Sequence, residues 1–153
     1  MARDSRSPSS TFLLGDFVPF RLNRLADAVS RDLSEIYQDR FGLEISEWRV
    51  LVTVGQRECT AQQVASSTRM HKTRVSRAVA SLTKRRLIER VSCVDARELR
   101  LCLTNAGHKV YEVLVPLALK RERTLLAKMS DVHRQGFTAG LAELEGALGL
   151  NRE

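Results

Sequence analysis

Apolar residues along the first third of the chain recur at helical intervals. Val18, Leu22, Leu25, Val29, Leu33 and Ile36 are separated by 4, 3, 4, 4 and 3 positions, which is one face of a long amphipathic helix. Pro19 stands in its first turn, where a missing N–H is no loss. Gly42 stands at its end, where a left-handed cap suits glycine. Glu47 to Gly55 (EWRVLVTVG) is a shorter apolar segment, with Ser46 as its expected N-cap and Gly55 as its expected stop. Thr60 is positioned to cap a polar-faced helix over Ala61 to Ser67. A break at Thr68 to His71 follows, and Lys72 to Lys84 is again helical, with Val75, Val79 and Leu82 on one face.

After Arg86 the period changes from helical to alternating. Residues 87–91 (LIERV) and 99–103 (LRLCL) have strand composition, and the polar turn Asp95-Ala96-Arg97-Glu98 lies between them. The pattern predicts a β-hairpin with a charged tip. Thr104 restarts a helix whose apolar face is Val110, Val113, Leu114, Leu117, Leu125 and Leu126; Pro116 inside it predicts a kink. Ser130 caps a last helix with a Phe137, Leu141, Leu144, Leu148 stripe. Residues 1–11 are rich in Ser and Arg and read as a disordered tail rather than a secretory signal. Residues 12–153 read as one mainly α domain, with helices at about 14–41 and 105–149 flanking a lobe at about 45–104. The flanking stripes exceed what so small a lobe can cover, which predicts a homodimer built on them.

Charge sharpens this picture through its location. The chain of 153 residues carries a net charge of +7, yet the segment from Gln56 to Val110 holds 12 Lys/Arg against 4 Asp/Glu. The remainder holds 13 basic and 14 acidic residues, so the whole excess sits in the middle. Focusing of this kind is the footprint of a polyanion-binding module. It coincides with two short helices joined by a tight turn, a helix-turn-helix. Lys72, Thr73, Arg74, Ser76 and Arg77 crowd the first two turns of the second helix and avoid its Val75–Val79 face. No acidic residue occurs from Lys72 to Arg86. Long cations and short hydroxyls at a helix start suit the DNA major groove, where Arg contacts guanine edges and phosphates meet the helix end. Lys84 and Arg85 fit phosphate contacts, and Arg97 at the hairpin tip fits an adjacent minor groove.

These segments resemble the MarR family of regulators over Ile45 to Leu114. The matching runs are ISEWRVLVTV, TAQQVASSTRMHKTRVSRAVASLTKRRLIERV and DARELRLCLTNAG. The resemblance implies a winged helix-turn-helix with a two-stranded β-wing, flanked by N- and C-terminal dimerisation helices. It also implies a palindromic operator, and repression relieved by a small ligand. By the family pattern Arg97 is the wing residue, and Thr73, Arg74, Ser76 and Arg77 enter the groove. Three departures stand out: Arg86 where many relatives carry Gly, His71 where an acidic or hydroxyl cap is common, and Glu98 beside the wing arginine.

In that family, ligands sit where the dimerisation helices meet the DNA-binding lobe. The matching positions are Phe20, Arg24, Ala28, Tyr37, Trp48, Arg49 and Val52. The run FRLNRLADAVSRDLSEIYQDR is similar to regulators of aromatic-acid catabolism, which suggests an aromatic acid or aryl-CoA thioester as effector. A rival switch is thiol oxidation at Cys59, Cys93 or Cys102, with Cys93 and Cys102 expected to face each other across the wing. A non-specific architectural DNA protein would share the basic focus without needing a ligand region. An enzyme is disfavoured: the sequence has no nucleophile–base pair, phosphate-binding Gly loop or metal-ligand spacing, and no cofactor is expected. No run of apolar residues is long enough for a membrane helix, and three scattered cysteines fit a reduced, cytoplasmic chain.

Overall fold

The computed structural model describes residues 12–92 and 99–150. A short 3₁₀ turn, Leu14–Asp16, precedes α1 (Val18–Phe41), α2 (Ile45–Gln56), α3 (Ala61–Thr68) and α4 (Lys72–Lys84). The hairpin strands β1 (Ile88–Ser92) and β2 (Leu99–Leu103) come next, then α5 (Asn105–Leu126) and α6 (Asp131–Ala147). Two compact units divide the chain, Met1–Asp32 and Leu33–Glu153. In the first, Phe12 and Phe17 meet edge to face with ring centres 5.5 Å apart. Leu13, Leu14, Val18, Leu22 and Leu25 are exposed there.

The second unit holds the core. Leu43, Val50, Leu51, Val64, Val75, Val79, Leu82, Ile88, Leu101 and Leu114 are essentially inaccessible, so α2, α3, α4, the hairpin and α5 share one interior. Each such side chain contributes roughly 1.5–3 kcal/mol on burial. α4 buries Val75, Ala78, Val79 and Leu82, the stripe read from its sequence, and this fixes which of its faces points outward.

Caps follow the expected chemistry at three helices. Thr60 accepts from the Gln63 N–H at 3.2 Å while the Gln63 side chain accepts from the Thr60 N–H at 2.8 Å, a reciprocal capping box. Thr104 accepts from the Gly107 N–H and Ser130 from the His133 N–H. Two expectations for α2 are corrected. Its N-cap is Glu44, not Ser46: the helix starts at Ile45, and the Glu44 N–H donates to the Glu47 carboxylate at 2.8 Å in a capping box. Gly55 is not its stop. The residue lies inside the helix, because the Tyr111 ring fills the space a Cβ would need. α5 runs through Pro116, from Asn105 to Leu126.

The strands pair antiparallel in the register Ile88↔Leu103, Glu89↔Cys102, Arg90↔Leu101, Val91↔Arg100 and Ser92↔Leu99. Cys102 therefore stands opposite Glu89, since the period-two register decides cross-strand partners. Cys59 adds a single bridge to Leu101, with bonds of 3.3 and 2.8 Å. Cys93 and the whole expected wing tip, Asp95 to Glu98, lie outside the described residues, as does the expected tail over residues 1–11. Gly42 is left-handed at φ 55°, as its position predicts. So is Arg86, at φ 57°, where many relatives of the resembled family carry Gly.

Candidate nucleic-acid interface

α4 begins at His71, whose Nδ1 accepts from the Thr73 N–H at 3.3 Å. Lys72, Thr73, Arg74, Ser76 and Arg77 are all exposed on the first two turns of α4, opposite the buried Val75–Leu82 stripe. The fold thus leaves these five expected groove residues exposed together on one helix, in a stretch of chain without an acidic residue. Lys84 is exposed at the far end of the same helix.

Arg85 is held elsewhere. Its Nη1 donates to the Gly42 carbonyl at 3.0 Å, and its Nη2 donates to the Phe41 carbonyl. Its guanidinium also lies 3.9 Å from the Glu47 carboxylate. The two carbonyls are 43 and 44 positions away in sequence, so no local pattern could have revealed them. Arg97 lies outside the described residues.

Two exposed cations were not singled out from sequence. Arg69, the C-cap of α3, sits in the turn of the helix-turn-helix with φ 54°, and its Nη2 lies 3.5 Å from the Gly149 carbonyl. Arg90 projects from β1. A basic residue in a two-helix turn or on an exposed strand position was the available signal for both.

The expected ligand positions fall in both units. In the first, the Arg24 guanidinium lies 5.7 Å from the centre of the Phe20 ring, and Ala28 is exposed. In the second, Tyr37 stacks on Trp48 with ring centres 5.8 Å apart and planes 9° from parallel. Tyr37 is buried, and its hydroxyl has no hydrogen-bond partner among the described residues. Burial pushes its ionisation up; the nearby Arg49 opposes this and Glu44 adds to it. Trp48 and Val52 are half-buried, and Arg49 is exposed.

Both described thiols are shifted away from the thiolate. Burial raises the Cys59 thiol above its ordinary value, against Arg57 and Arg100. Cys102 is raised by burial first and then by Glu89 and Glu58. A reactive cysteine needs the opposite shift. Among the described residues, no cluster of three His, Cys, Asp or Glu side chains could hold a metal ion, and no helix is long and apolar enough to cross a membrane.

Comparison with known proteins agrees with this geometry. A sequence model of the MarR family matches residues 41–98, which span α2 to the wing. The uncharacterised HTH-type transcriptional regulator YwoH of Bacillus subtilis (strain 168) is 28% identical over 121 residues, covering 77% of this chain and 86% of that one. A MarR/EmrR family transcriptional regulator from Acinetobacter sp. ADP1 superposes with a TM-score of 0.80. It is 25% identical, and the match covers 92% of this chain and all of that one (100%). BpsR of Bordetella bronchiseptica, solved to explain regulation of its DNA binding by 6-hydroxynicotinic acid, shares the fold with a TM-score of 0.77. Its identity is 18%, over 89% of this chain and 99% of that one. A MarR-family sequence model over residues 41–98, a curated regulator at 28% identity and a full-length likeness in fold make this chain similar to the MarR family of winged-helix transcription regulators.

Proposed function

We propose that this chain is a homodimeric, sequence-specific repressor that binds a palindromic operator through α4 and its wing. The observation that carries the proposal is the exposed face of Lys72, Thr73, Arg74, Ser76 and Arg77, presented by a helix whose other side is locked into the core. In this reading Arg74 and Arg77 contact base edges, Lys72 and Lys84 contact phosphates, and Arg97 reads minor-groove shape. Dimerisation accounts for the exposed apolar rows of Leu22 and Leu25 on α1 and Phe137, Leu141 and Leu144 on α6.

The effector in this proposal is a small aromatic acid or its CoA thioester, bound where Tyr37 stacks on Trp48, with Arg49 as charge partner. The regulation of BpsR by an aromatic acid supports this class of effector. Thiol oxidation is the weaker switch, since both described thiols are shifted away from thiolate. The proposed site of action is the cytoplasm, where operator DNA is found.

The test is enrichment of duplexes from a random pool, followed by titration with aromatic acids, their CoA esters and then peroxide. A palindrome with half-sites about one helical turn apart is expected, bound by a species that light scattering shows to be a dimer. Binding to all duplexes alike would mean an architectural DNA protein. Release by peroxide alone would replace the ligand by a thiol switch.

A further inference from the structure

Three helix ends meet at one side chain. At the C-terminus of α1 the Gly42 N–H donates to the Gln38 carbonyl at 2.8 Å and the Leu43 N–H to the Tyr37 carbonyl at 3.0 Å. That pattern satisfies two of the end carbonyls and leaves those of Phe41 and Gly42 without a helical partner. Arg85, the C-cap of α4, supplies it, donating to both through the two arms of its guanidinium. The charge also sits at the negative pole of the α1 dipole. Beside it lies Glu47, buried at 7% exposure, whose carboxylate simultaneously caps the start of α2.

We infer that Arg85 is a positioning residue for the recognition helix: its fork on the Phe41 and Gly42 carbonyls, steadied by Glu47, sets the seat of α4 against the end of α1. This rests on the reading of α4 as the recognition helix and deepens it. A planar fork reaching two adjacent carbonyls fixes direction, which a point charge cannot do. The α1 end that Arg85 grips begins four residues after Tyr37, so displacement of the Tyr37–Trp48 stack has a short covalent path to this clamp. Arg85 therefore influences base choice without touching DNA.

A phosphate contact and a positioning residue predict different behaviour. Wild type, Arg85→Lys, Arg85→Gln and Glu47→Gln would be titrated at several salt concentrations against the enriched palindrome and a scrambled duplex. Circular dichroism would set a temperature at which each is folded. Lysine keeps the charge and loses the fork. The expected result is that Arg85→Lys and Arg85→Gln both lose about tenfold on the palindrome and less than about twofold on the scrambled duplex. Their salt slopes should equal that of wild type. Glu47→Gln keeps an oxygen for the Glu44 N–H and loses the charge beside the guanidinium; it should lose specificity in the same direction, by about threefold.

Arg85→Lys binding like wild type would overturn the inference. So would an equal loss on both duplexes in Arg85→Gln with the slope reduced by about 0.9, the signature of one lost phosphate contact. Should neither Arg85 variant fold, Glu47→Gln decides. Tighter binding to every duplex is what simple removal of a negative charge predicts, and that or an unchanged specificity ratio overturns the inference. A wild-type chain that enriches no duplex overturns the recognition-helix reading and this inference together; that result is seen before any variant is compared.

Discussion

The Thr104 hydroxyl donates to the Arg86 carbonyl at 2.6 Å. Its oxygen also accepts from the Gly107 N–H at 3.1 Å, and its backbone N–H donates to the Leu87 carbonyl at 3.1 Å. One residue thus caps α5 and anchors the left-handed turn that carries the chain from α4 into the wing. Arg86 holds φ 57°, a conformation that costs a residue with a Cβ roughly 1–2 kcal/mol. Thr104→Ala should lower stability by about 1–2 kcal/mol, with Thr104→Ser restoring most of it. Arg86→Gly should raise stability by up to about 1 kcal/mol. Urea unfolding followed by circular dichroism measures both. An Arg86→Gly variant less stable than wild type would contradict the strain argument.

Gly107 admits no side chain. A Cβ there would collide with the Leu87 backbone carbonyl, and neither the first turn of α5 nor the end of the recognition segment can retreat from the core. Gly107→Ala should therefore cost more than about 2 kcal/mol although alanine favours helix. Gly55→Ala meets the ring of Tyr111, a half-buried side chain able to rotate, and should cost less. Comparing the two melting temperatures checks the ordering, and a milder Gly107→Ala would refute it.

At the proposed DNA surface, Arg74→Ala and Arg77→Ala should each weaken operator binding by about 1–3 kcal/mol and relax base preference at defined positions. Lys84→Ala should weaken all sequences alike and lower the salt slope by about 0.9. Arg97→Ala should lose most affinity on A·T-rich flanks, where the minor groove narrows. Fluorescence anisotropy against a set of single-base operator variants separates these behaviours. Unchanged base preference in both Arg74→Ala and Arg77→Ala would remove α4 as the reader.

Alkali should unfold the protein by way of its buried acids. Tyr37 ionises above its ordinary 10.0 and Cys59 above its ordinary 9.0, both chiefly because burial disfavours the charged form. A group whose folded value is raised binds its proton more tightly when folded. Its contribution is complete below the unfolded value and is lost as pH rises through the folded one. Stability should therefore be flat near neutrality with respect to these groups and fall above about pH 9. Tyr37→Phe should flatten the upper part of that fall. It should also stabilise the neutral protein by about 1 kcal/mol, since it removes a buried hydroxyl without a partner among the described residues. Urea midpoints from pH 7 to 10.5 for wild type and Tyr37→Phe test this, and parallel curves would exclude Tyr37 as the titrating group.

Local order was legible in the residues themselves. The 3.6-residue stripes of α1 and α4, the period-two strands, the caps at Thr60, Thr104 and Ser130, and Gly42 at a helix end all depend on neighbours within about one turn. The acid-free face of Lys72 to Arg77 belongs to the same class, because a buried stripe on one side of a helix settles which side is exposed. What the tertiary structure alone decided involves partners distant in sequence. Gly55 resembles a helix stop until the Tyr111 ring is found in its place. Ser46 resembles a cap until α2 is found to start at Ile45, with Glu44 as its N-cap. Cys102 has no cross-strand partner in the pattern until the register sets it against Glu89. Arg85 resembles every other arginine of the basic run, and only the unsatisfied carbonyls at the end of α1 turn it from the DNA surface toward the fold. Hydrophobic periodicity is written residue by residue, whereas the choice of partner for a long flexible cation depends on which backbone groups the packed chain leaves unpaired.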